Sequence, residues 1–264
     1  MKILEFFFYI LFLISANLVI GQDKNFSITE VIPLKAEVLV GIDKFDNLYY
    51  INDNTIFKTN DTGETIAFKD VLLGDIDRVD ILNPNKIIVF YKMSNTVVIL
   101  DNRMTEIDRQ DFNRVSPFKN VGFAGTSKDQ GLWIYNIDLN QLELYDYRYN
   151  TSLAVSLPID DEILEIKNNF NYCFLKTKAG ISIFNIYGSL VQKLYIDDIK
   201  AYDLYKNRLA IHTGNAVMIY NETFKLLNSF NFNIDAYKNF FYKDENLYLY
   251  DGKNLSRYSI ISKK

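Results

Sequence analysis

The chain of 264 residues is poor in the residue types that most often carry cross-links and catalysis, with one cysteine, one histidine, one tryptophan, four prolines and eleven glycines. A single cysteine cannot close a disulfide within the chain or build a cysteine-rich zinc site, and a single histidine cannot supply two metal ligands. Positive charge is short as well: 29 Lys and Arg against 33 Asp and Glu leave a formal net charge of −4. That balance speaks against a dedicated nucleic-acid binder, which normally carries a basic face. Gly-x-Ser-x-Gly, glycine-rich phosphate cradles and calcium loops of alternating acids are all missing. The only imidazole, His212, lies in Leu209-Ala210-Ile211-His212, which reads as a strand with a packed side chain. Cys173 sits in the apolar run Tyr172-Cys173-Phe174-Leu175, the setting of a buried, inert thiol. No catalytic residue, no metal ligand and no cofactor is expected.

Apolar and aromatic residues are abundant, at 48% and 15%, with 20 Phe and 19 Tyr. This is too apolar for general disorder and too dispersed for a multispan membrane protein. The one long apolar run is FFFYILFLISANLVI at residues 6–20, after Lys2 and Glu5. Fifteen residues of helix reach roughly 22 Å, short of a ~30 Å hydrocarbon core. The run therefore fits a secretory signal better than an uncleaved anchor. Val19 and Gly21 are small residues at −3 and −1 from Gln22, which places cleavage before Gln22. The expected organisation is a signal peptide at 1–21 and a single domain at 22–264, with no transmembrane segment in the mature chain. Cys173 is far from residue 21, so a bacterial lipid anchor is not expected.

A repeat of about forty residues runs through that domain. A polar turn containing Asn, Asp or Lys precedes an apolar strand, and a short polar turn leads to a second strand. The first strands begin at Leu48, Ile87, Leu132, Tyr172, Leu209 and Leu247, with spacings of 39, 45, 40, 37 and 38 residues. Each copy also has a strand before the first turn and, except in the sixth copy, another after the pair. Four short strands per ~40 residues make a propeller blade. The sixth copy ends with the chain, one strand short, while residues 25–34 (NFSITEVIPL) precede the first copy without a partner. Giving that segment to the sixth blade closes the ring and removes the exposed sheet edges at its ends. The fold class expected is all-β: a six-bladed β-propeller with four short antiparallel strands per blade, closed by the N-terminal strand.

The turn and strand signature is strongest in Lys44-Phe45-Asp46-Asn47-Leu48-Tyr49-Tyr50-Ile51 and Asp129-Gln130-Gly131-Leu132-Trp133-Ile134-Tyr135. It resembles the NHL/TolB-like six-bladed propellers, and the two-component-regulator propeller repeat in which an Asp/Gly turn precedes Leu-Trp or Leu-Tyr. The resemblance covers the whole mature chain and implies the fold rather than an activity. Ser127-Lys128-Asp129-Gln130-Gly131-Leu132-Trp133 is similar to a sialidase Asp-box lacking one residue. It occurs once and reads as turn chemistry.

Two features mark candidate interaction residues. Tyr145, Tyr147 and Tyr149 alternate along one segment and are expected to share a face suited to a protein partner or a sugar ring. Asp160 and Asp161 fall in a loop joining two blades, as do Asp197 and Asp198, where acids either cap turns or line a carboxylate site. The leading expectation is an exported, non-catalytic interaction scaffold, an accessory subunit of a bacterial periplasmic or outer-membrane assembly. Protein partners are expected, and nucleic acid is not. The alternatives are a secreted glycan-binding or glycan-processing propeller, and a sensor ectodomain acting through a separate chain.

Overall fold

The computed structural model describes residues 26–234 and 236–260; the expected signal peptide lies outside the described residues. Among the described residues, twenty-four strands form six four-stranded antiparallel sheets. The N-terminal strand β1 (Phe26–Pro33) stands apart from the regular order. Blade 1 contains β2 (Val38–Ile42), β3 (Leu48–Asn52), β4 (Thr55–Thr59) and β5 (Thr65–Phe68). Blade 2 contains β6 (Arg78–Asp80), β7 (Ile87–Tyr91), β8 (Thr96–Leu100) and β9 (Glu106–Asp111). Blade 3 follows with β10 (Val121–Thr126), β11 (Gly131–Asn136), β12 (Gln141–Asp146) and β13 (Thr151–Val155). Blade 4 has β14 (Glu165–Asn168), β15 (Tyr172–Thr177), β16 (Gly180–Asn185) and β17 (Leu190–Tyr195). Blade 5 has β18 (Ala201–Tyr205), β19 (Arg208–His212), β20 (Ala216–Tyr220) and β21 (Leu226–Asn231). In blade 6, β22 (Asn239–Lys243), β23 (Asn246–Tyr250) and β24 (Asn254–Ile260) are completed by β1, which pairs antiparallel with β24. The ring closure read from the sequence is the one observed.

Burial explains why the sequence splits this way. The central strands β7 (IIVFY) and β8 (TVVIL) are buried along their whole length, because both faces of a blade pack against neighbours. The outermost strands, such as β5 and β17, are largely exposed. Clusters of buried side chains fill the gaps between blades; Ile88 and Phe90 of blade 2 meet Leu132, Ile134 and Tyr145 of blade 3.

The turn after the third strand repeats a single device. Asn60 accepts backbone N–H groups two and four residues on, from Thr62 and Glu64. Asp101, Asn185 and Asn221 do the same in blades 2, 4 and 5. The residue three positions on is left-handed in each: Gly63, Met104, Gly188 and Phe224, at φ +85°, +61°, +75° and +58°. Glycine suits that conformation, whereas Met104 and Phe224 accept about 1 kcal/mol of strain. Burial offsets the strain. Met104 packs with Tyr49 and Tyr91, and Phe224 meets the rings of Tyr172 and Phe174 edge-on at 5.1 and 5.9 Å.

Polar staples join neighbouring blades at their first turns. The buried Lys86 ammonium of blade 2 donates to the carbonyls of Ser127, Asp129 and Gly131 in blade 3, at 3.3, 2.8 and 3.0 Å. Trp133 Nε1 of blade 3 donates to the Asn169 carbonyl of blade 4 at 3.0 Å. Lys243 of blade 6 reaches the Asp43 carbonyl and the Asp46 carboxylate of blade 1 at 2.6 and 2.5 Å. Inside the ring, the Asp80 carboxylate of blade 2 accepts from Thr126 N and Asn168 Nδ2, both at 2.8 Å, and so bridges three blades. Gly125 leaves room for this clasp; a Cβ there would lie 2.3 Å from Asn168 Oδ1.

Candidate functional site

Antiparallel strands fix which loops share a side of the disc. Turns after the first and third strands of each blade emerge on one side, the turn face. Turns after the second strand, and the connections to the next blade, emerge on the other, the connection face. The connection face carries large exposed apolar side chains at its loop tips. Met93 is 90% exposed in the turn between β7 and β8, and Leu157 is 84% exposed between β13 and β14. Phe118 and Leu139 are exposed between them in the ring. Hydrogen bonds stitch these loops together: Asn95 Nδ2 to the Lys119 carbonyl at 2.7 Å, Ile137 N to the Asn120 carbonyl at 2.8 Å, and Ile159 N to the Asn140 carbonyl at 2.8 Å. Single exposed apolar residues are ordinary, but four on adjoining loops make a patch.

A buried ion pair supports that patch. Directly after Phe118, Lys119 meets Glu143 at 2.6 Å, with side-chain exposures of 10% and 2%. Asn136 Nδ2 donates to Glu143 at 3.1 Å, Ser152 Oγ also donates to it, and the Lys119 ammonium lies 5.7 Å from the Tyr145 ring centroid. The exposed aromatics of the turn face, Phe45, Tyr149, Phe170 and Tyr187, come from blades 1, 3 and 4.

The channel through the ring opens on the turn face as a cavity of about 420 Å³. Its walls are the ends of the innermost strands and the first turns of five blades. Lys167 pairs with Asp203 across it at 3.1 Å, and Tyr242 N donates to the same carboxylate at 2.9 Å. Arg78 extends from β6 to the Ile166 carbonyl and Asn168 Oδ1 of β14, at 3.3 and 3.2 Å. Its guanidinium sits 4.6 Å from the Phe123 ring centroid.

Of the three tyrosines expected to share a face, Tyr145 and Tyr147 lie together in the buried cluster between blades 2 and 3, and Tyr149 does not. Tyr145 is fully buried among residues of blades 2 and 3. Its hydroxyl is pushed up to about 12 by burial and by the charges of Glu143 and Asp146. Tyr147 is also buried, and its hydroxyl donates to Gln130 Oε1 at 2.5 Å. Only Tyr149 is exposed. The reason is local: β12 ends at Asp146, so strand alternation does not continue through the turn that holds Tyr147 and Tyr149.

Asp160 and Asp161 are exposed in the connection from blade 3 to blade 4, beside Leu157. Asp161 pairs with Lys193 at 3.1 Å, and the neighbouring Glu162 with Lys178 at 2.6 Å. Asp198 pairs with Lys200 at 2.7 Å. Among the described residues no group of three or more His, Cys, Asp or Glu converges to hold a metal ion, and no helix is long and apolar enough to cross a membrane. Cys173 is buried, and burial raises its thiol pKa far above the usual range. His212 is buried too, its Nδ1 2.5 Å from the Tyr237 hydroxyl.

Sequence reasoning missed the connection-face patch and Arg78. Each patch residue stands alone in a polar loop, and only the closed ring gathers them. Arg78 left one trace, a charge flanked by Asp77 and Val79 in a short innermost strand.

No protein-family model matches the chain, and no curated protein matches it. Solved propellers do share its fold. Virginiamycin B lyase from Staphylococcus aureus superposes with a TM-score of 0.59 at 10% identity, covering 89% of this chain and 100% of that one. BBS1N, from its complex with ARL6DN, gives 0.59 at 13% identity, over 85% and 78% of the two chains. The Pan2 WD40 domain of Neurospora crassa gives 0.56 at 9% identity, over 83% and 73%. These identities establish the architecture alone.

Proposed function

We propose that the protein is an exported, non-catalytic propeller that docks on a larger bacterial envelope assembly through its connection face. The observation that carries this reading is the run of adjoining apolar loop tips at Met93, Phe118, Leu139 and Leu157, braced from beneath by the Lys119–Glu143 pair. A stable interface needs an apolar centre ringed by polar groups, and the charged loop at 160–162 borders this patch. The fold is compatible with such a role, since the BBS1N propeller was solved bound to a protein, ARL6DN. Export is supported by the apolar run at 6–20 and the small residues Val19 and Gly21.

The test is affinity purification of a C-terminally tagged copy from gently solubilised envelopes, with partner ratios quantified. Wild type should recover a stoichiometric assembly, and the double variant Met93→Asp/Leu157→Asp should lose it while its Tm stays within a few degrees. Recovery of the wild-type propeller alone, or undiminished partner recovery with the double variant, would overturn the reading.

A further inference from the structure

We propose that the central channel binds a small organic anion, a carboxylate or a phosphate ester, with Arg78 as its anchor. Charge distribution is the first observation. The whole chain carries −4, yet the cavity on the turn face is lined by five cationic side chains and only Asp43, Asp80 and Asp203 in opposition. The wider mouth on the connection face adds Lys200 and Lys238 against Glu165. Between low-dielectric walls, whichever of these charges is left without a partner raises the local concentration of its counter-charge.

The second observation is how those charges are already satisfied. Lys167, Lys206 and Lys243 each pair with a carboxylate, those of Asp203, Asp244 and Asp46. The acids are occupied as well: Asp43 accepts from Phe45 N and Asn47 N, and Asp80 from Leu82 N, Thr126 N and Asn168. Arg78 is different. No carboxylate lies within 4.0 Å of it among the described residues, and its two acceptors are neutral, at 3.3 and 3.2 Å. Its Nε is sealed from solvent without a partner. One donor is spent on each terminal nitrogen, which leaves a second N–H on each. A guanidinium with an N–H to spare on each terminal nitrogen, its centre 4.6 Å from the Phe123 ring centroid, offers donors to carboxylate or phosphate oxygens.

Size and surroundings set the ligand class. About 420 Å³ suits a small molecule. Phe241 and Tyr248 offer apolar wall to its carbon skeleton, while Asn169 and Asn171 line the rim. A bare cation or a neutral sugar would leave the Arg78 charge uncompensated, so neither fits.

The sole tryptophan provides the readout. Trp133 Nε1 donates to the carbonyl of Asn169, which lines the cavity, so an occupied channel alters its emission. The purified protein would be titrated with succinate, citrate, inorganic phosphate and glycerol 3-phosphate at constant ionic strength, following Trp133 fluorescence and binding heat. At least one probe should saturate a single site. Arg78→Met should weaken that probe at least tenfold, and Arg78→Lys, which keeps the charge without the guanidinium, should weaken it severalfold. Lys238→Ala, at the other mouth, should stay within twofold of wild type. Saturation by the carboxylates alone assigns an organic acid, and saturation by the phosphates alone assigns a phosphate ester. The proposal fails if no probe saturates below about 10 mM. It fails equally if Lys238→Ala weakens binding as much as the Arg78 variants, which would mean diffuse attraction rather than a site.

Discussion

Three lysines are buried among the described residues; Lys243 on the turn face meets both a carboxylate and a carbonyl, while Lys119 and Lys86 are neutralised in two different ways. Beneath the connection face, Lys119 meets the carboxylate of Glu143 at 2.6 Å. On the turn face, Lys86 has no ion pair among the described residues; its ammonium donates to the carbonyls of Ser127, Asp129 and Gly131 and lies 5.9 Å from the Tyr147 ring centroid. The consequence is visible in Lys86 itself. Burial lowers its pKa from 10.5 to about 8, although the charges of Asp80 and Asp129 push the other way. Carbonyls satisfy the hydrogen atoms of a buried ammonium but not its charge. The first arrangement ties charge to charge below a surface proposed to meet a partner, and the second ties one blade to the next.

The comparison is most sharply broken by removing one member of the ion pair. Lys119→Met leaves Glu143 charged and buried, and should cost about 3–5 kcal/mol in chemical denaturation. A loss below about 1 kcal/mol would mean that Asn136 and Ser152 alone satisfy the carboxylate. Lys86→Met leaves three carbonyls short of donors but strands no charge, so its cost should be smaller, about 1–3 kcal/mol.

Lys86 also carries a pH dependence. The folded pKa of Lys86 lies below its unfolded value, so between about pH 8 and 10.5 the unfolded chain holds a proton that the folded chain has released. Stability of wild type relative to Lys86→Met should therefore rise through that window, by at most about 1.4 kcal/mol per pH unit. A flat difference would show that the three carbonyls keep the ammonium charged. The smallest effect belongs to the loop tips. Met93→Ser and Leu157→Ser should each change stability by less than about 0.5 kcal/mol, so any loss of partner recovery in them reports on the surface and not on the fold.

How much of this the sequence discloses depends on the range of the interaction. The blades were legible because turn and strand chemistry is local: Asp43 accepts from Phe45 and Asn47 within one turn, and Leu48-Tyr49-Tyr50-Ile51 follows at once. The closure by β1 was legible because the strand count left one segment over and one blade incomplete. The tyrosines misled for two reasons: Tyr145 lies within β12, on a face packed between blades, and Tyr147 and Tyr149 lie past its end, in a turn that folds Tyr147 back onto Gln130. The patch is gathered from four successive loops of neighbouring blades, and the channel from blades far apart in sequence. Arg78 meets Asn168 across 90 residues, and no local pattern announces that meeting.

The seam between the first and last strands also has a mechanical side. Phe26 sits opposite Ile260 and Pro33 opposite Asn254, so the two ends of the described chain leave the sheet at the same corner. A load applied between those ends would open the seam one residue pair at a time, like a zipper, instead of shearing all its hydrogen bonds together. The Tyr250 hydroxyl, which accepts from Ala36 N and donates to a carbonyl of the adjoining segment, lies beyond the far end of that zipper and is the latch such a load would reach last. Anchored by one end, the ring keeps its seam unloaded; held by both, it is pulled where it yields most easily.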